Sequence, residues 1–189
     1  MGSVPLTALW LPILLSAVAV FFASSIIHMV LPYHRTDYRK LPSEDAVMDA
    51  LRRFSIPPGD YMMPCAGNPS AMKEAAFVDK IKKGPIAMMT IMPSGQWSMG
   101  PQLLQWFIYT LVVGLFAAYL TSRAVAPGAP YLEVSRFAST VAFVGYALGQ
   151  WPQTIWYKRS VSTAIKSTID GLIYGFLTGG VFGWLWPIR

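Results

Sequence analysis

PQLLQWFIYTLVVGLFAAYLTS, residues 101–122, followed at 126–130 by APGAP, decides how this chain is built. The stretch carries no Asp, Glu, Lys or Arg. About 20 helical residues are needed to cross ~30 Å of hydrocarbon with every backbone N–H and C=O satisfied within the segment. Pro101 suits a first helical turn, where its missing N–H costs nothing. APGAP is too rich in Pro and Gly to be helical, so the apolar run after it is predicted to return as the second arm of a tight antiparallel hairpin.

Working outward, three further stretches have the same character. The first runs from about Leu6 to Val30, has no charged residue and ends at Pro32, which cannot continue the hydrogen-bond ladder. It lacks the basic lead and short apolar core of a secretory signal, so it reads as a retained helix. The third spans about Leu132 to Trp156, with a kink or early end expected near Pro152. The fourth runs from about Thr168 to Trp186, and YKRSVSTAIKST between them reads as an interfacial turn or a helical extension. A composition of 54% hydrophobic and only 13% charged residues agrees with a bilayer as solvent. The expected fold is an all-α membrane protein: transmembrane helix 1 at 1–32, an extramembrane segment at 33–100, and transmembrane helices 2–4 at 101–189, the four packed as a bundle.

The net charge of +6 follows no nucleic-acid-binding motif, so the lipid bilayer, not nucleic acid, is the expected partner. Basic residues near span ends bias insertion toward the cytoplasm. Arg35, Arg39 and Lys40 lie on one side with Lys158, Arg159 and Lys166, against Arg123, Arg136 and Arg189 on the other. Residues 33–100 are therefore expected in the cytoplasm, with both termini on the far side.

In the 33–100 segment, LPSEDAVMDALRRF reads as a helix with Ser43 as N-cap, acidic residues at its start and Arg52 and Arg53 at its end. A second helix is expected from Asn68 as cap to Gly84-Pro85, followed by a strand, IAMMTIM, turning at Pro93-Ser94-Gly95 toward Trp97 with no obvious partner. So small a unit is marginal alone and is expected to pack on something else.

Four glycines spaced by four, Gly171, Gly175, Gly179 and Gly183, line one slowly drifting face of the last span, and Gly145 and Gly149 do the same on the third. In lipid, close backbone approach is what packs helices, so these read as contacts between spans three and four or between two copies. Asp170 sits beside the first glycine. Its plain reading is an interfacial carboxylate that favours the helix N-terminus and pairs with Lys166 one turn earlier; the sharper one is an ion-coupling group.

His28 and His34 are six residues apart across Pro32 and share no i, i+4 face, yet with Asp37 they could bind a metal once the chain turns. Alternatively His34, Tyr33, Arg35 and Tyr38 meet lipid headgroups. Met62, Met63 and the only cysteine, Cys65, are weaker metal candidates in a Met-rich loop that equally serves as adaptable filler. Tryptophans near span ends read as interfacial anchors. No nucleophile elbow, phosphate loop or HExxH occurs, so no catalytic residue and no cofactor are expected.

The run GQWPQTIWYKRSVSTAIKSTIDGLIYGFLTGGVFGWLWP, residues 149–187, resembles small four-helix bacterial membrane proteins grouped as a domain of unknown function. These also place a Trp-bearing basic turn before an Ile-Asp that opens a last helix rich in small residues. The resemblance covers roughly the last third of the chain and implies a four-helix architecture in a bacterial inner (plasma) membrane, with no reaction attached. The leading expectation is a non-catalytic homo-oligomer or accessory subunit of a larger membrane complex, contacting its partner through the Met-rich loop. The runner-up is a small transporter or ion-binding membrane protein using His28, His34, Asp37 and Asp170.

Overall fold

The computed structural model describes residues 4–96 and 98–188. The readings of Trp97 as an anchor and of Arg189 as a flanking charge lie outside the described residues. In chain order the helices are α1 (Trp10–Ser25), α2 (Glu44–Arg52), α3 (Ala75–Lys83), α4 (Gly100–Ala124), α5 (Tyr131–Tyr146), α6 (Trp151–Tyr157) and α7 (Val161–Trp184), and the strands are β1 (Gly59–Met63) and β2 (Ala87–Ile91). The chain is mostly helical, at 67%. It forms two compact units, residues 1–39 with 98–189, and residues 40–97.

The first unit packs α1, α4, α5 and α7 together, α7 chiefly along α5. One core cluster joins the start of the first helix (Val4, Leu9) to the end of α4, the start of α5 (Val134, Ala138) and the end of α7 (Phe182). A second joins Val20 and Ile27 to Val113, Ala142, Tyr146 and Tyr174. Neighbouring helices therefore run antiparallel. Two helical stretches, Leu6–Val30 and Gly100–Ala124, are long and apolar enough to cross a membrane; α5 and α7 do not meet that measure.

The interior is built from small and hydroxyl side chains: Ser16, Ser24, Thr110, Ala117, Ala138 and Thr178 are buried. The hydroxyls bond carbonyls one turn back on their own helix, as Ser24 does to Phe21 (2.8 Å) and Thr178 to Tyr174 (2.9 Å). A Cβ added at Gly171 would lie 2.7 Å from Ala147 Cβ, one at Gly175 3.0 Å from the Ser139 carbonyl, and one at Gly183 2.7 Å from the Tyr131 ring; at Gly179 it would collide with the Ser139 hydroxyl. The α7 glycines are thus occupied by α5 and the residue just after it, within one chain. Gly145 instead faces Val113 of α4, at 3.3 Å, and Gly149 has nothing within 4 Å. The packing role expected of Gly149 is corrected: the helix that would have carried it onto α7 has already ended.

That ending is the early end expected near Pro152, reached a few residues sooner. The third apolar run is not one helix to Trp156: α5 stops at Tyr146, a short 3₁₀ turn covers Leu148–Gln150, and α6 restarts with Pro152 in its first turn. The break precedes the proline because Pro152 denies a donor to the carbonyl four residues back, in the turn itself. The fourth run begins earlier than expected, at Val161, with the Ser160 hydroxyl accepting from the Thr163 N–H (3.4 Å). The polar YKRSVSTAIKST stretch is mostly helical extension. At the 126–130 turn, Gly128 takes a left-handed φ of +70° and its N–H donates to the Pro187 carbonyl (2.8 Å).

Three tryptophans expected as anchors are tied inside. Trp106 donates to Ser24 Oγ (2.8 Å), Trp151 to Thr168 Oγ1 (3.1 Å) and Trp186 to the Ala126 carbonyl (2.9 Å). Trp156 and Trp184 are exposed.

In the second unit, Ser43 does not cap α2; it has a left-handed φ of 50° and no side-chain cap bond, while Glu44 and Asp45 occupy the first turn. Asn68 accepts from the Ala71 N–H (2.8 Å) and so caps the 3₁₀ turn Ala71–Lys73 rather than α3. Gly84, with a φ of +59°, ends α3. The strand expected in IAMMTIM does have a partner: β2 pairs antiparallel with β1, Tyr61 opposite Met89 and Met62 opposite Met88, with α3 in the connection. The pairing joins distant segments and is not the hairpin turning at Pro93. No residue of 40–96 is buried.

Candidate functional site

Lys166, Asp170 and Tyr174 follow one another at four-residue spacing and so share a face of α7. Over that face folds the turn after the first helix. The helix ends in a π turn, Ile26–Val30, closed by the Leu31 N–H on the Ile26 carbonyl (3.0 Å), and a 3₁₀ turn, Pro32–His34, comes next. These two turns reverse the chain and set the His34 ring against that of His28, centroids 4.2 Å apart.

His34 stands between two carboxylates. Its Nδ1 lies 2.6 Å from Asp37 Oδ2 and its Nε2 2.9 Å from Asp170 Oδ2. Lys166 donates to Asp37 Oδ1 (2.7 Å) and to Thr36 Oγ1 (3.0 Å). The Tyr174 hydroxyl is 3.5 Å from His28 Nε2. Asp170 is only 3% exposed, and its Oδ1 is buried without a hydrogen-bond partner. Burial pushes the Asp37 carboxyl up, but its hydrogen bonds to Lys166 and His34 outweigh this and hold it below its ordinary value.

Two carboxylates facing both nitrogens of one imidazole constrain it. A ring with both nitrogens protonated donates to each; a neutral ring turns one lone pair toward an oxygen, unless a cation lies between them. The ligand atoms of His28, His34 and Asp170 lie within 4.8 Å of one another, the one such cluster of His, Cys, Asp or Glu among the described residues. His28 is the exposed member. It also lines a groove of about 290 Å³ with Ser24, Ser25, Met29, Gln102 and Trp106.

The structure therefore brings together His28, His34, Asp37 and Asp170. It separates two details of the sequence reading. Asp170 is not at a helix N-terminus but is the tenth residue of α7, about 14 Å along its axis. It pairs with His34, while Lys166 pairs with Asp37. The His34 side chain is largely covered by protein. Met62 and Met63 lie side by side in β1 and so point to opposite faces, and Cys65 is exposed. Thr36 and Tyr174 join the site without having been singled out, whereas Lys166 was expected beside Asp170 and instead holds Asp37; the 166/170/174 spacing was the available signal.

Comparison with protein-family models, with curated proteins and with solved structures gives no match.

Proposed function

We propose that this chain is a four-span membrane protein that binds a cation where the 32–37 turn meets α7. The observation that carries the reading is Asp170, a buried carboxylate with one oxygen unpartnered and two histidines beside it. A carboxylate out of water is expensive unless a positive charge or full hydrogen bonding offsets it. Four spans are supported by what the helices turn outward: Phe22 and Ile26, Leu104 and Phe116, Phe137 and Val144, Ile169 and Phe176 are all exposed. Apolar surface on every side, around an interior of small and hydroxyl residues, suits lipid and not water.

Melting of the detergent-solubilised, chelator-treated protein with Na⁺, Mg²⁺, Ca²⁺, Co²⁺ or Zn²⁺ tests the reading. At least one cation is expected to raise Tm in the wild type and not in Asp170→Asn, because a ligand bound only to the native state stabilises it. If no cation moves the wild-type Tm, the reading fails.

A second reading, an accessory subunit that contacts a partner protein through residues 40–97, draws on the absence of any buried residue in 40–96. Crosslinking from that segment in native membranes is its test; capture of no protein there removes it.

A further inference from the structure

We propose that the cation is a divalent transition-metal ion ligated by His28, His34 and Asp170, with Asp37 and Lys166 as positioning residues. This rests on the cation-binding reading above and names the ion class and the role of each side chain. Two imidazoles and one carboxylate are a mixed nitrogen–oxygen set, suited to ions such as Zn²⁺, Co²⁺ or Fe²⁺, whereas Ca²⁺ and Mg²⁺ take oxygen alone.

The contacts match a metal site's outer layer. Histidine ligands commonly donate their other ring N–H to a carboxylate, which fixes tautomer and ring orientation. His34 has that partner in Asp37, at 2.6 Å from Nδ1, and Asp37 is itself held by Lys166. The His34 Nε2 to Asp170 contact, 2.9 Å, is then where the ion enters. The ion takes the place of the shared proton, which leaves to solvent, so binding releases a proton. Bonds of about 2.1 Å around a tetrahedral ion put ligand atoms about 3.4 Å apart, so the 2.9 Å His34–Asp170 pair opens slightly and the others, within 4.8 Å, close modestly. Asp170 Oδ1, with no partner among the described residues, is free to turn onto the ion. Three protein ligands are one short of a closed structural zinc site, so the remaining position takes water or an exchangeable ligand. His28, exposed and lining the groove, gives the side of entry.

Titration of the full-length, chelator-treated protein with Co²⁺ alone, followed by its visible absorption, tests this directly. One Co²⁺ per chain is expected, with the intense bands of low-coordinate nitrogen ligation, displaced by Zn²⁺. His28→Ala and Asp170→Asn should abolish the bands. Asp37→Asn should weaken binding about 10–100-fold while the spectrum keeps its shape, as loss of an outer-layer partner does. His28 is exposed, so its variant tests ligation even if Asp170→Asn fails to fold. Unchanged Co²⁺ affinity in His28→Ala, or its loss in Cys65→Ser, overturns the assignment. Asp170-dependent stabilisation by Mg²⁺ or Ca²⁺ without Co²⁺ binding also overturns it and leaves the broader cation reading standing. Silence of every cation removes both.

Discussion

At the scale of single residues, Lys166 does more than its position suggests. Its ammonium satisfies Asp37, and Asp37 in turn holds the His34 ring. Lys166→Met should lower stability by about 1–3 kcal/mol, the cost of leaving a covered charged acceptor without its donor. Combined with Asp37→Asn the loss should be less than additive, because both changes break one network; additive melting shifts would separate them. Individual glycines divide as sharply. At Gly179 an added methyl meets Ser139 and lies 2.6 Å from the Ser135 carbonyl, so Gly179→Ala should cost about 1–3 kcal/mol by forcing helices apart. Gly149→Ala meets open space and should stay within about 0.5 kcal/mol. Thermal melts of the pair in one detergent check both. The four-residue spacing on α7 was readable in advance, but which helix each glycine meets depends on where α5 ends.

At the scale of elements, legibility tracked how local the cause was. The α4 start at Gly100-Pro101 and the 126–130 turn were visible because Pro and Gly act on their own backbone. Gly128→Ala should therefore weaken the turn by about 1 kcal/mol, since its φ of +70° strains any L residue, and the loss should show as a lower Tm. The partner of β2 was not visible: Asp60 and Thr90, which share a 2.6 Å hydrogen bond, are thirty residues apart with a helix between. Nothing in GDYMM announces a strand, as Gly and Asp both disfavour one. The meeting of His34 with Asp170 is legible only in part. Each residue invited suspicion, but their pairing needs a turn of the chain that alternates π and 3₁₀ geometry, and composition does not encode that.

At the scale of the whole molecule, Lys166 on Thr36 and Asp37 puts Arg35 and Arg39 and the 158–166 basic cluster at one end of the first unit. If that end faces the cytoplasm, Cys65, exposed and the only thiol in the sequence, is a built-in reporter. A membrane-impermeant maleimide should leave it unlabelled in intact spheroplasts and label it after lysis. Labelling of intact spheroplasts would reverse the orientation.

The π turn at Ile26–Val30 makes the site sensitive to chain length in a way that side-chain identity does not capture. A π turn holds one residue more than an α turn, so deleting Ile27 lets the helix close into regular pitch with the 31–37 turn kept in place, while His28, inside the π turn, is re-aimed by about 100°. Such a shortened chain should still insert, melt lower for the loss of a core side chain, and bind no Co²⁺. For this region, losing one codon outweighs rewriting one.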